Sequence, residues 1–356
     1  MNTLILPCAG RSSRFPNVRP KWMLYYPDKA MMVEKAVSGL NLNNFDRVII
    51  TIVKDHAVKY KADEILEDIF KFSEDNKFEL CILDDYTSCQ AETIYQTIKE
   101  CGVSGGFTVK DSDNYIDADV PTATDYVVGL NMHTYKDEIE RLAAKSFLVV
   151  NDQGIITDII EKKIISEYIS IGMYGFRDAD IFCDAYTHLS SSKDLSGEIY
   201  ISHVISYLIG MKKSVYEYVE ATGYEDYGTL KDWYKILNLK KTYLVNTDNI
   251  IVEKQEKYGP NHYSDVPKLI QKNVDFLKLL SEQGAQIIVL SDMDKTHTDS
   301  LINALKERGV TVFAAIADCY LSHQVLIKEF SPDIPYPACE SINVTSDTDL
   351  KDVLPL

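Results

Sequence analysis

Three stretches of this chain combine charged or amide side chains with small residues in ways that could do chemistry on phosphates. The first is Pro7-Cys8-Ala9-Gly10-Arg11-Ser12-Ser13-Arg14-Phe15, with Arg19-Pro20-Lys21-Trp22-Met23-Leu24 shortly after it. It follows the apolar run Leu4-Ile5-Leu6. A strand that feeds a small-residue loop turns backbone N–H groups toward an anion, and arginine forks beside them grip its oxygens. The same residues also suit an ordinary turn between a strand and a helix, with solvated charges. The second is Gly106 to Asn114, which reads as a strand ending in Asp111 and Asp113. Ligands of open α/β sheets gather beyond the carboxyl ends of strands. Mg²⁺ takes hard oxygens, typically one or two carboxylates with phosphate oxygens and water. Aspartates that only stop a strand are the other reading. The third is Ser88-Cys89-Gln90-Ala91-Glu92-Thr93, a helix start with Ser88 or Thr93 as cap and Glu92 favourable in the first turn. The Gln90 amide both donates and accepts, which suits the edge of a nucleobase.

The elements that must position these groups are strands and helices in alternation. Leu4–Leu6, Val48–Val53, Leu80–Leu83 and Tyr126–Leu130 read as buried strands. Met32–Leu40, Val58–Phe72 and Glu92–Cys101 carry apolar residues at helical spacing. That alternation predicts an α/β fold with a largely parallel sheet. A second series starts near residue 241, with strands at Thr242–Val245, Ile287–Leu290 and Val310–Phe313, and short ones near Val325 and Ile342. Its helices are Val266–Leu280 and Asp299–Arg308. The boundary falls at about 236–241, after the helix around Trp233.

At 356 residues the chain suits two domains, and 46% hydrophobic with 26% charged residues is a globular composition. A net charge of −17 argues against nucleic acid as the main partner, since a polyanion needs a basic footprint. Seven scattered cysteines without a C-x-x-C pair read as reduced thiols. The N-terminal apolar run is short for a signal peptide and lacks a basic start, and no stretch of 18 apolar residues occurs. The expectation is a cytoplasmic protein with no membrane insertion.

The loop Gly10-Arg11-Ser12-Ser13-Arg14-Phe15 followed by Arg19-Pro20-Lys21 resembles the signature of sugar-1-phosphate nucleotidyltransferases, G-x-G-x-R and then P-K. Four more segments fall in that family's order: Gln90 before a helix, Ser112-Asp113-Asn114 at a strand end, Glu161-Lys162 after Gly154–Ile160, and Asp226 before Tyr227-Gly228-Thr229. Residues 168–176, with Gly172, resemble the family's following G-x-Y-x-F strand. The resemblance covers about residues 1–236. It implies a Rossmann-like, GT-A-like mixed-sheet nucleotidyltransferase domain. It also implies that Mg²⁺, an NTP and a phosphorylated small-molecule acceptor meet there, with pyrophosphate released. In that scheme Lys21 and Arg14 are catalytic, and Ala9, Gly10, Ser12, Ser13 and Gln90 hold the nucleotide. Glu161, Lys162 and Gly172 hold the acceptor. Asp113 and Asp226 are the metal carboxylates, with Asp111 a weaker candidate and Glu225 a fallback for Asp226. Ser12 departs from the family's second glycine; it fits there if its φ is negative, with its hydroxyl then free to donate. Lys163 stands where a proline is common.

Residues 241–356 resemble a smaller, haloacid dehalogenase-like α/β domain. Its D-x-D start is Asn246-Thr247-Asp248 here, and Ser291 ends the second strand. An amide cannot serve as the carboxylate nucleophile, and Lys328 stands in the last acidic motif. The resemblance thus implies an inactive phosphatase-like domain that serves association, such as a homo-oligomer. The pairing of the two halves resembles enzymes that make bacterial capsule and surface-polysaccharide precursors, and the segment Pro335–Cys339 through Ser341–Val344 shares that likeness. Three competing readings remain: a cytidylyltransferase using an amino-acid or amino-alcohol phosphate, a phosphatase run by the second half, and a nucleotide-sensing scaffold without turnover.

Overall fold

Runs of β-branched residues flanked by amphipathic stretches fold as strands covered by helices. The computed structural model describes residues 2–15, 18–70, 77–135, 142–192, 197–239, 241–253, 268–320, 322–328, 339–345 and 348–354. The chain divides into two compact units, Met1–Leu230 and Lys231–Leu356.

In the first unit β1 (Asn2–Pro7), β2 (Arg47–Val53), β3 (Phe78–Leu83) and β4 (Gly106–Lys110) run parallel, in the order β3-β2-β1-β4. Leu4 and Leu6 face one core while Ile5 faces another, as a period of two requires. The first core takes α1 (Met32–Ser38) and α3 (Ala62–Phe70), with α2 (Lys54–Tyr60) leading into α3. The other takes α4 (Gln90–Glu100), α5 (Ala179–Ser191) and α6 (Ile201–Gly210). Its centre is a Phe107–Phe176–Phe182 cluster with ring centroids 4.9 to 5.5 Å apart, in stacked and edge-on pairs.

Beyond β4 the sheet turns mixed. β9 (Tyr168–Phe176) lies antiparallel between β4 and β6 (Tyr126–Asn131), and β10 (Tyr216–Glu220), β8 (Ile155–Glu161) and β7 (Ser146–Val150) complete nine strands. A largely parallel sheet was therefore only half of the architecture. Apolar runs report burial, and the direction of the partner strand leaves no trace in them. A separate antiparallel ribbon pairs β5 (Asn114–Asp117) with β11 (Gly223–Asp226).

Two elements differ from the sequence pattern. The helix expected over Val58–Phe72 is two helices, because Lys61 takes φ 53° and breaks the run; Phe72 lies outside the described residues. Val58 is exposed, and the buried residue of α2 is His56. The strand expected to run to Asn114 stops at Lys110, and Asn114 opens β5 instead.

The second unit holds α7 (Leu230–Leu239) and a parallel three-stranded sheet, β12 (Thr242–Asn246), β13 (Gln286–Leu290) and β14 (Ala314–Ile316). α8 (Gln271–Glu282), α9 (Lys295–Glu307) and the short α10 (Leu350–Val353) contribute Val274, Leu277, Leu301, Leu305 and Leu350 to its core. The third strand lies four residues beyond the expected Val310–Phe313. No strand occurs near Val325 or Ile342 among the described residues, where both side chains are exposed. Asn246 pairs in register with Leu290, so Asn246 and Ser291 share the carboxyl end of the sheet. Ser291 is fully buried, and its hydroxyl accepts from the Met293 amide at 3.1 Å and from Thr298 Oγ1 at 3.0 Å. Lys328 is exposed and belongs to no strand. Pro335–Ala338 lies outside the described residues. No described helix is long and apolar enough to cross a membrane.

Candidate active site

The carboxyl ends of β1 and β4 lie side by side, so the loops that leave them share one cleft. Its cavity measures about 730 Å³. Gly10, Ser12, Ser13, Arg14 and Lys21 line it from the β1 side. Gln90, Asp111, Asp113 and Gly172 line its floor, and Glu161, Lys162 and Asp226 the remaining walls. Ala9 does not line it: this side chain is fully buried in the core.

The first loop is held differently from the expectation for Ser12. Its φ is +49°, in the left-handed region that favours glycine, so the serine adopts the glycine conformation at some strain. Its Oγ accepts a hydrogen bond from the Lys21 amide at 3.1 Å, which leaves the hydroxyl's own proton to donate elsewhere. That bond ties the loop to the single turn Lys21–Met23, whose Trp22 and Met23 are buried. The Lys21 ammonium forms an ion pair with Asp113. Burial alone would raise the Asp113 carboxyl, but Lys21, then Arg14 and Lys110, hold it down at about 2.

A fully buried lysine shapes the turn that carries Asp113. Lys110 donates to the carbonyls of Asp111 at 2.7 Å and Asn114 at 2.9 Å, and to Asn114 Oδ1. All three ammonium donors are satisfied, as burial demands. Burial lowers this amine to about 8 against the attraction of Asp111 and Asp113. Asn114 Nδ2 in turn donates to the Ile171 carbonyl at 2.7 Å, fixing the turn to β9. Asp111 is raised to about 6 by burial and then by the Asp113 charge. Its Oδ1 accepts from Gln90 Nε2 at 2.5 Å, so Gln90 is engaged with the cleft floor. Gly172 has φ +92°, and a Cβ there would overlap the Asp111 carboxylate. Its glycine is needed to seat Asp111. The helix start also differs from expectation: Cys89 is the cap residue of α4, and Glu92 Oε2 reaches back to the Ser88 amide at 2.6 Å.

The β5–β11 ribbon brings in the second carboxylate. Asn114 pairs with Asp226, and the Tyr227 amide donates to the Asp113 carbonyl at 3.0 Å. Asp226 Oδ2 lies 2.5 Å from Lys145 Nζ, and Oδ1 accepts from the Gly228 amide at 2.8 Å. Burial opposes ionisation here too, but Lys145 and the Gly228 N–H keep this carboxyl below its usual range. Glu225 accepts from the Tyr227 hydroxyl and does not line the cleft.

On the far wall, Glu161 Oε2 accepts from Ser202 Oγ at 2.6 Å and from Ser146 Oγ. Lys162, at φ +56°, bonds the Tyr200 hydroxyl and stands 4.0 Å from that ring's centre. Lys145 and Ser146, at the start of β7, escaped the sequence reading and belong to no motif. Tyr200 and Ser202, at the start of α6, complete this wall. The Arg11 guanidinium lies 4.6 Å from the centre of the Tyr86 ring, and Arg11 also lines the cleft.

Among the described residues no three His, Cys, Asp or Glu side chains form a metal-holding group. Two ionised carboxylates on adjacent backbone segments nevertheless match a Mg²⁺ that completes its shell with phosphate oxygens and water.

No protein-family model and no curated protein matches the sequence. Over about two thirds of the chain, 66% and 67% in the two cases, the fold is similar to that of solved pyrophosphorylase structures. A nucleoside-diphosphate-sugar pyrophosphorylase from Vibrio cholerae RC9 is similar with TM-score 0.54 and 20% identity, over 66% of this chain and 99% of its own. UDP-glucose pyrophosphorylase complexed with UDP-glucose gives 0.51 and 18%, over 67% and 97%. At such identities the likeness is one of fold. It lends no support to a dehalogenase-like assignment of residues 241–356.

Proposed function

We propose that the cleft catalyses nucleotidyl transfer, in which an NTP and a phosphorylated acceptor, a sugar 1-phosphate in the first instance, give a nucleotide-activated product and pyrophosphate. The observation that carries this reading is the convergence of the Lys21–Asp113 ion pair with Asp226 in one cleft at the carboxyl ends of β1 and β4. The loop from Gly10 to Arg14 receives the triphosphate, with Arg14 gripping its oxygens. Lys21 offsets charge as the acceptor phosphate displaces pyrophosphate in line at the α-phosphorus. That phosphate is already anionic, so no general base is required. Asp113 and Asp226 would hold Mg²⁺, which, when bound, withdraws charge from the phosphates. Lys162 faces the acceptor phosphate, and Glu161, oriented by two serine hydroxyls, accepts from acceptor hydroxyl or amine groups.

The test is a pyrophosphate-release screen of four NTPs against sugar 1-phosphates and amino-alcohol or amino-acid phosphates. A single active NTP–acceptor pair is expected. Nucleotide binding without pyrophosphate from any pair would sink the proposal and favour a nucleotide sensor.

A further inference from the structure

Two lysines stand against the two carboxylates on which the proposed reaction depends. Lys21 belongs to the loop signature, but Lys145 belongs to no motif. It follows the turn Leu142–Ala144 and precedes β7. Its ammonium lies 2.5 Å from Asp226 Oδ2, bonds the Tyr224 hydroxyl, and sits 5.0 Å from the centre of that ring. Its carbonyl accepts from the Lys162 amide at 3.1 Å, which ties it to the acceptor wall. Both side chains of the pair are largely buried, at 15% and 21% exposed, yet both line the cleft. The ribbon holds Asp226 beside the backbone of Asp113, and two carboxylates kept close in a poorly solvated site repel each other.

We propose that Lys145 is a resident counter-cation for Asp226, occupying Oδ2 until a divalent cation arrives with the nucleotide, and so acts as a positioning residue. This inference rests on the nucleotidyltransferase reading. An ammonium and a divalent cation compete for the same carboxylate oxygen. Displacing the ammonium alone leaves it near a second cation, which is unfavourable. Nucleotide phosphates supply anionic oxygens to both cations, so the exchange becomes favourable only when they are present. Asp226 Oδ1 stays anchored by the Gly228 amide throughout, so the carboxylate keeps its orientation.

The test measures Mn²⁺ binding to the nucleotide-free full chain by the paramagnetic resonance signal of free aqueous Mn²⁺. Lys145→Met should bind Mn²⁺ about tenfold more tightly than the wild type, since a neighbouring positive charge has been removed. Lys145→Arg keeps the charge and should stay near the wild-type affinity. A lysine with only a structural role predicts the opposite sign, because a loosened site binds metal less well. Unchanged or weaker Mn²⁺ binding by a folded Lys145→Met protein overturns the inference; Lys145→Gln serves if the methionine variant melts below the assay temperature. The underlying reading fails separately. In that case the wild type with an α,β-methylene NTP retains no more Mn²⁺ than the nucleotide does alone, and Asp226→Asn changes nothing.

Discussion

Lys21 is the residue on which the proposed chemistry turns. Its backbone amide is fixed by Ser12 and its ammonium by Asp113, so one residue joins the loop to the carboxylate turn. Lys21→Ala removes the ammonium but leaves the amide bond and the buried Trp22 and Met23 in place. The expected outcome is a normal far-ultraviolet circular dichroism spectrum with pyrophosphate release reduced by roughly two orders of magnitude or more, on the scale of lost electrostatic stabilisation. Near-wild-type turnover in the folded variant would exclude Lys21 from the reacting centre. Lys21, Asp113 and Asp226, which the structure gathers in one cleft, were legible in the sequence because phosphate and metal chemistry calls for particular residue types: a lysine after proline, and aspartates at or beside strand ends. Lys145 and Ser146 were not, since they reach the cleft through strand pairing that no local pattern encodes. Ser12 was identified but with the wrong backbone sign, because a residue type alone does not fix φ.

Among the elements, the β5–β11 ribbon sets where both carboxylates lie. It depends on close packing against the end of α1: a Cβ added at Gly39 would overlap the Ile116 carbonyl in β5. Gly39 has φ −89°, so the cost of Gly39→Ala is steric, not conformational. Overpacking of this kind costs about 1–3 kcal/mol, and displacement of β5 moves Asp113 and Asp226 together. The variant should melt at lower temperature and lose pyrophosphate release more than its lost stability explains; full activity would show that the ribbon can shift freely. Helix α2 offers a pH signature. His56 is buried near its N-terminus, between the Trp22 and Tyr86 rings, and no hydrogen-bond partner among the described residues meets its Nδ1. Burial lowers it to about 4, against a pull upward from Asp55. The native state therefore holds neutral imidazole, while the unfolded chain takes up a proton from about pH 6.5 downward. Stability from this group is whole above pH 6.5 and falls between there and pH 4. His56→Phe should flatten that part of the melting-temperature profile, and an unchanged slope would assign the acid sensitivity elsewhere. None of this was visible in the spacing, which suggested one helical face through Val58.

At the scale of the whole molecule, two α/β series were readable from hydrophobic alternation, and the chain does divide into two compact units. The mixed character of the large sheet was not readable from that alternation, because parallel and antiparallel strands buried on both faces look alike. In the second unit β12, β13 and the helices α8 and α9 follow the pattern, while β14 lies beyond the expected Val310–Phe313 and the apolar residues near 325 and 342 lie exposed outside any described strand. Asn246 at the end of β12 offers no carboxylate nucleophile, and the Ser291 hydroxyl is consumed inside the fold. The intact protein should release no phosphate from p-nitrophenyl phosphate, with or without Mg²⁺. Steady hydrolysis lost in Asp248→Ala would make the chain bifunctional.

The buried Lys110 makes the carboxylate turn self-reporting. An amine lowered to about 8 by burial carries a larger neutral, acylatable fraction at mildly alkaline pH than an ordinary lysine, yet this one is sealed from solvent. Acylating reagents should label the surface lysines of the native protein and spare this one. Mass spectrometry of the Lys110 peptide then becomes a clock for local opening, independent of substrate or turnover. Its labelling should accelerate in Gly39→Ala, where β5 is pushed off its seat, and should slow when a nucleotide closes over the turn. Labelling of native Lys110 as fast as that of exposed Lys54 would mean that the turn opens freely and cannot hold its carboxylates in register.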